Sequence, residues 1–335
     1  MTNWQIVGHE RTVSLLRNGL ESGRLAHAHL LVGPPHVGKM TLSLTLAQAL
    51  NCSSKDKPCG ECTSCQRTAE RRHADINVID LNGRAEIGID HIRELERTAN
   101  LKPFEGQHRV FIINNADSLS TEAANCLLKT LEEPPPYVYI LLLASNERML
   151  LPTIRSRCQI LELRPLPFEV IERTLVERYG AHESHAALLA RLSRGCIGWA
   201  IDAWLNDGIL KGRNEQIDSL IQLASKGISD RFSFASDLAE RFAKDRESVK
   251  ETLSLWISWW RDMLLVCSGC PEHIINLNFQ DTLQREIVGY NIYTIKSVIR
   301  GLQQSISALD RNANPRLVLE VAMLNLPQKK GAGNT

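Results

Sequence analysis

The sequence lacks long apolar runs and a strong net charge of either sign. Its longest near-apolar run, Tyr137 to Ala144, is far shorter than the roughly 20 residues that span a bilayer. The first residues, MTNWQIVGHERTV, contain no basic segment followed by an apolar stretch, so we expect no signal peptide, no membrane contact and a cytoplasmic location. The net charge of +1 provides no overall positive field for nucleic acid. Any contact with DNA must therefore be local or shared with partner proteins.

What the sequence does contain is an ordinary core-forming composition, with 43% hydrophobic and 23% charged residues over a length of 335. That length predicts two or three domains. In the first half, short apolar strands alternate with amphipathic helices, which predicts a parallel, doubly wound sheet. The predicted strands are His29–Val32, Ile76–Leu81, Arg109–Asn114, Tyr137–Ala144 and Gln159–Leu163, and the predicted helices between them are Met40–Leu50, Ile89–Asn100 and Thr121–Glu133.

The pattern changes at Arg164–Pro167, where two prolines in four residues predict a linker. Everything beyond it has helical periodicity. We predict an α/β domain over residues 1–165, a three-helix unit over 166–207, a larger helical domain over 208–327 and a frayed tail over 328–335. Trp256, Trp259 and Trp260 fit a buried helical face better than a nucleotide-stacking surface.

A phosphate loop is the first chemical motif. The segment Gly33–Lys39, GPPHVGK, follows a strand and opens a helix, which is the context such a loop needs. Glycines allow backbone N–H groups to surround phosphate oxygens, the helix N-terminus adds partial positive charge, and Lys39 reaches the terminal phosphates. The candidate phosphate contacts are Gly33, Gly38, Lys39 and Thr41.

The groups that would hold Mg²⁺ and activate water are missing. Met40 stands where a Ser or Thr hydroxyl would coordinate the metal, and Thr41 is turned away by about 100° of helix. The strand ending at Ile113 is followed by Asn114 and Asn115 instead of acidic residues. Asp117 lies past the strand end and is a poor replacement. The loop therefore looks suited to phosphates and unsuited to their metal, and it leaves weak or vestigial ATP or ADP binding open.

Four of the nine cysteines, Cys52, Cys59, Cys62 and Cys65, lie within fourteen residues. In a cytosolic chain this spacing favours a metal over disulfides. Four thiolates can surround one Zn²⁺ in a closed tetrahedron, which makes a structural site. An iron–sulfur cluster and an unmetallated set remain alternatives.

Several further motifs resemble the clamp-loader branch of the AAA+ superfamily. The most specific is the run from Val110 to Pro136, VFIINNADSLSTEAANCLLKTLEEPPP, and it is joined by LLASN at 142–146 and SRC at 156–158. The segments IVGHE at 6–10 and LAHA at 25–28 resemble the family's N-terminal boxes. The resemblance is strong over residues 4–165, fair over the three-helix unit and faint beyond it.

The resemblance implies an AAA+ core with an inserted zinc module at 52–65, a helical lid and an all-α collar that oligomerises. It implies nucleotide contacts at Ile6 and Val7. The implied partners are the gamma/tau and delta subunits, the sliding clamp and primed DNA. The implied setting is the DNA polymerase III holoenzyme, in which the chain itself has no polymerase activity.

Within that family, motor subunits resemble complete ATPases, with an acidic pair after the strand and an arginine in the lid. Here the pair is Asn114-Asn115, and Gly198 stands where the lid arginine would be. The SRC arginine, Arg157, is intact. The resemblance therefore implies a non-motor subunit that supplies Arg157 as an arginine finger to a neighbour's ATP. The alternatives are a gamma/tau-like motor subunit or related AAA+ ATPase, and a surface role for Arg157 with Arg155 equally able to pair with a carboxylate.

Overall fold

A computed structural model describes residues 4, 6–81, 83–84 and 86–328. Its contacts divide the chain into two compact units. The first ends at Gly180 and adds Ser193–Ala200, and the second comprises Ala181–Leu192 and continues from Ile201. The predicted division at 165 and 207 stays a prediction, and the predicted tail lies outside the described residues except for Gln328. Among the described residues, no helix combines the length and apolarity needed to cross a membrane.

The first unit is built on a five-stranded parallel sheet, which confirms the predicted α/β class. The strands lie in the order β2-β3-β4-β1-β5, so β1 is flanked by β4 and β5. Their bounds are β1 Ala28–Val32, β2 Ile76–Ile79, β3 Arg109–Ile113, β4 Val138–Ala144 and β5 Gln159–Glu162. The helices of this unit are α1 Glu10–Glu21, α2 Lys39–Asn51, α3 Thr63–Ala69, α4 Ile89–Ala99, α5 Thr121–Glu132, α6 Pro152–Arg155 and α7 Phe168–Tyr179.

Both faces of the sheet are covered, because alternate residues of each strand point to opposite sides. On β3, Phe111 and Ile113 pack into the cluster that contains α4 and α5, while Val110 and Ile112 pack into the cluster that contains α1 and α2. This double burial explains why the strands appear in the sequence as continuous apolar runs.

The remaining helices are α8 Glu183–Leu192, α9 Ile197–Leu205, α10 Asp207–Ser225, α11 Ile228–Lys244, α12 Arg246–Cys267, α13 Gln280–Glu286, α14 Ile292–Asp310 and α15 Pro315–Asn325. In the second unit, α10 to α15 surround an apolar core in which Trp256, Trp259 and Trp260 are all buried. Trp256 stacks on Phe234, and Trp260 meets Tyr290 edge-on. The tryptophans are core residues, as predicted.

Arg231 on α11 is a charged side chain inside this helical unit, with only 4% of its surface exposed. Its guanidinium donates to five backbone carbonyls and thereby joins the C-terminal ends of α10 and α15. A guanidinium has five N–H groups and favours the negative end of a helix dipole, so this environment satisfies it. The acceptors are the carbonyl oxygens of Leu223, Ala224, Met323, Leu326 and Pro327.

Candidate functional site

The predicted phosphate loop lies between β1 and the first residue of α2, at the carboxyl end of the sheet. Gly33 is pressed against the chain that follows β5, because a Cβ there would lie 2.3 Å from the carbonyl oxygen of Leu163. Gly38 has a φ of +113°, which favours glycine. Both glycines are therefore required by the shape of the loop, and the N-terminus of α2 faces its interior.

The ammonium group of Lys39 is engaged by the loop itself. Its Nζ donates to the carbonyl oxygen of Gly33 and, at 2.9 Å, to that of Pro34. A phosphate would have to displace these carbonyls to reach the charge. Met40 packs against the apolar cluster on the α1/α2 side, and Thr41 is exposed. The predicted metal-coordinating position therefore holds an apolar side chain.

The loop also touches the start of α9. The Gly198 N–H donates to the His36 carbonyl oxygen at 2.8 Å, and a Cβ at residue 198 would lie 2.8 Å from the same oxygen. A larger side chain cannot fit without moving the loop. Burial raises the pKa of the nearby Cys196 thiol, while the charges of Arg194 and Lys39 lower it.

The N-terminal residues predicted to contact nucleotide, Ile6 and Val7, closely precede His9, which contacts this loop. Ile6 packs against the apolar cluster that includes Val37, and Val7 is half-buried. The ring of His9 shares a 3.2 Å hydrogen bond with the Val37 carbonyl, in which the carbonyl is the acceptor.

The polar end of β3 is held by contacts that the sequence did not reveal. Asn114 donates from Nδ2 to the Asp80 carboxylate at 2.6 Å. Asp117 accepts from the backbone N–H groups of Ser145 and Asn146, at 2.8 and 3.2 Å, and so fixes the end of β4. Asp117 thus has a local role, in agreement with the sequence reasoning that set it aside as a metal ligand. Its spacing from the strand gave no signal of this contact.

Arg155 is the last residue of α6, and Arg157 lies two residues beyond it; both side chains are partly exposed. Arg157 pairs with Glu132 at 2.5 Å and donates to the Thr153 carbonyl at 2.9 Å, and its side chain is 34% exposed. Arg155 pairs with Glu147 at 3.2 Å and is equally exposed. In the isolated chain both arginines have carboxylate partners, which is the arrangement expected of the surface alternative.

The four predicted cysteines come together between α2 and α3. Their sulfurs all lie within 4.8 Å of one another, with Cys52–Cys62 and Cys59–Cys65 each at 4.0 Å. A tetrahedral ion with bonds of about 2.3 Å separates its sulfurs by about 3.8 Å, so the cluster can bind a metal ion.

Backbone N–H groups point to two of these sulfurs and favour their thiolate form, which is the form that binds a metal cation. The N–H of Cys59 points to the sulfur of Cys52, and that of Cys62 points to the sulfur of Cys59. Burial alone would raise the pKa of the Cys62 thiol, but the N–H of Cys65 and the neighbouring thiols outweigh it and hold the pKa at about 6. Burial raises the pKa of Cys65. A bound cation would favour all four thiolates.

A glycine-rich loop between a strand and a helix of a doubly wound parallel sheet, contacted by the start of α9 and followed by a surface SRC arginine, is typical of the AAA+ class. A family model described as DNA polymerase III, delta subunit, matches residues 8–167. DNA polymerase III subunit delta' of Bacillus subtilis is 27% identical over 319 residues, which are 95% of this chain and 96% of that protein.

Two further relatives extend the comparison. DNA polymerase III subunit tau of Escherichia coli is 35% identical over 232 residues, which are 67% of this chain but 36% of that protein. A crystal structure of a gamma subunit-related protein from Thermotoga maritima aligns with a TM-score of 0.48 and 20% identity, covering 94% of this chain and 99% of that one. The chain belongs to the DNA polymerase III clamp-loader family, and it aligns with subunit delta' over nearly the full length of both proteins.

Proposed function

We propose that this protein is the non-motor, delta-prime subunit of a clamp loader, and that it supplies Arg157 to a neighbouring subunit's ATP. The observation that carries the proposal is the pairing of an altered nucleotide site with an intact SRC motif. Met40 occupies the metal position, Asn114 hydrogen-bonds to Asp80, and Gly198 leaves no space for a lid arginine.

The ion pairs of Arg157 are compatible with this role. Glu132 is 50% exposed, and exposed ion pairs contribute about 0–1 kcal/mol. Arg157 can therefore leave Glu132 at small cost when a triphosphate from a neighbouring subunit approaches. A guanidinium placed there would neutralise charge that develops on the γ-phosphate.

The remaining assignments follow from the same family. The partners are gamma/tau and delta subunits, and the assembly acts on the sliding clamp and primed DNA in the cytoplasm. The metal is one structural Zn²⁺ on Cys52, Cys59, Cys62 and Cys65, since four thiolates at these distances form a closed tetrahedral set. Gly33, Gly38, Lys39 and Thr41, with Ile6 and Val7, would form at most a weak nucleotide site.

The test uses the reconstituted loader with Arg157→Ala. We expect the subunit to fold and assemble, DNA-stimulated ATPase to fall partially, and clamp loading to fall more steeply, since removal of a finger costs about 10³–10⁵ in rate at one site. Arg155→Ala is the matched control, because the Arg155 side chain is as exposed as that of Arg157 and also pairs with a carboxylate. Unchanged clamp loading by a fully assembled Arg157→Ala loader would refute the finger.

A motor-type ATPase remains the second candidate, because the glycines and Lys39 are present. The isolated chain separates the two. A non-motor subunit shows negligible steady-state ATP hydrolysis. The alternative would be established if the isolated chain hydrolysed ATP as fast as a motor subunit and Lys39→Ala abolished that hydrolysis.

A further inference from the structure

Five consecutive backbone amides, at residues 104–108, are held by side chains. The Asp75 carboxylate, which is fully buried, accepts from the N–H groups of Phe104, Glu105 and Gly106 at 2.7–2.9 Å. The Asn51 side chain accepts from those of Gln107 and His108 and donates to the His108 carbonyl, each at 2.9 Å. The conformation of this 104–108 segment therefore depends on two residues distant in sequence.

One of those residues directly adjoins the four-cysteine module. Asn51 is the last residue of α2 and directly precedes Cys52, so the position of its side chain follows that of the ligand. The fit against the segment is close, because a Cβ at Gly106 would lie 2.5 Å from the Asn51 side-chain oxygen. A shift of Cys52 would be passed directly to residues 106–108.

A second connection starts from the other end of the module. Arg67 follows Cys65 by two residues on α3, and its guanidinium pairs with the Glu105 carboxylate. Gln48 on α2 donates to the Cys65 carbonyl at 2.8 Å and ties the two helices together. Asn51 and Arg67, which flank the four cysteines on either side, thus both contact the 104–108 segment.

Two apolar side chains, one in the segment and one just before it, are exposed. Phe104 is 84% exposed, and Leu101, three residues earlier, is 52% exposed. Although the ring is exposed, every backbone amide from 104 to 108 has a side-chain acceptor. The side-chain contacts fix the place from which this ring projects.

We propose that the four-cysteine module is a metal-dependent brace for the 104–108 segment, acting through Asn51 and Arg67 to fix the presentation of Phe104. The inference rests on the proposed structural metal. The inference also goes beyond that metal site. A metal that stabilised only its own loop could be lost without any change in the 104–108 segment.

Amide hydrogen exchange of the full chain reports directly on these N–H groups. Three variants are compared with the unmodified protein, and metal content is measured in every sample. Cys62→Ser removes a ligand. Arg67→Met removes the pair with Glu105 but leaves the four cysteines intact. Arg72→Met is the matched control, because it removes an exposed pair with Glu70 that does not involve the segment.

In Cys62→Ser we expect loss of metal and about tenfold faster exchange at 104–108, with Asn51-bonded amides affected most. In Arg67→Met we expect full metal content and about threefold faster exchange, as for the loss of one partly exposed ion pair. Amides of β4 should not change in either. Arg72→Met should match the unmodified protein.

If Cys62→Ser loses its metal but exchange at 104–108 is not faster, the brace hypothesis is wrong and the assignment of the metal site still holds. A purified protein without metal would overturn both. If Cys62→Ser also accelerates exchange in β4, that variant has unfolded, and the test then depends on Arg67→Met. Unchanged exchange at 104–108 in Arg67→Met rejects the proposal.

Discussion

Replacing Arg231 with methionine tests how much one buried charge contributes to the helical unit. The substitution keeps an apolar side chain of similar length but removes all five N–H donors. The five carbonyls at the ends of α10 and α15 would then lose their partner in an environment where the arginine is only 4% exposed. Buried carbonyls without partners are costly.

The magnitude follows from two opposing terms. Hydrogen bonds from a charged group contribute about 1.5–3 kcal/mol each, so a simple sum over five bonds exceeds 7 kcal/mol. Burial opposes this sum, because desolvating an ion costs several kcal/mol, and the same burial lowers the pKa of Arg231. Each buried carbonyl left without a partner costs about 1–3 kcal/mol, and removal of the buried charge recovers part of that cost, so we expect a net loss of about 3–5 kcal/mol.

The assay is thermal or urea unfolding followed by tryptophan fluorescence, since Trp256, Trp259 and Trp260 lie in the core of the same unit. We expect the midpoint temperature for thermal unfolding of this unit to fall by about 10 °C in Arg231→Met. Arg231→Lys should be intermediate, because an ammonium keeps the charge but has three donors.

The matched control is Arg241→Met, on the exposed side of the same helix, where a change within about 0.5 kcal/mol is expected. A loss below about 1 kcal/mol in Arg231→Met would show that the carbonyls find other partners, and the reasoning from hydrogen bonds would be wrong.

Three further outcomes are expected. Burial and the neighbouring His27 lower the pKa of His29 from 6.5 to about 4, so the unfolded state binds more protons between these values and stability falls as the pH drops from about 6.5 to 4. The loss attributable to this residue is about 3 kcal/mol, and His29→Leu should remove it from urea titrations repeated across that pH range. Protein purified without added metal should contain close to one equivalent of zinc, and Cys62→Ser should lower both metal content and melting temperature; a brown, visibly absorbing protein would indicate an iron–sulfur cluster instead. Gly198→Ala should destabilise the first unit by about 1–3 kcal/mol, because its Cβ meets the His36 carbonyl oxygen, and a neutral result in urea unfolding would mean that the phosphate loop yields easily.

Periodicity predicted the sheet well, because its strands are buried on both faces. Each predicted strand agrees with an observed one to within two residues, and the helices near 40–50, 89–100 and 121–133 are present. The cysteine cluster could be predicted from the sequence equally well, because the ligand type and the short spacing place four sulfurs close together.

The contacts that hold loops and helix ends across long sequence distances could not be predicted in the same way. Asp75 holds amides about thirty residues away, and Arg231 reaches carbonyls more than ninety residues away. Neither residue stands in a recognisable motif, because a backbone N–H or carbonyl can come from any residue type. Such pairings depend on the packing of whole elements, which composition and spacing do not encode locally.

The contact between Gly198 and His36 also bears on how readily such a chain can change by single mutations. An arginine at residue 198 would need space that the loop backbone already occupies, so the loop would have to move first. An aspartate at residue 114 has the size of the present asparagine, but it would face the Asp80 carboxylate without a proton to share. Both of these steps toward a complete ATPase site are therefore opposed by an existing contact, in one case a backbone carbonyl and in the other a carboxylate.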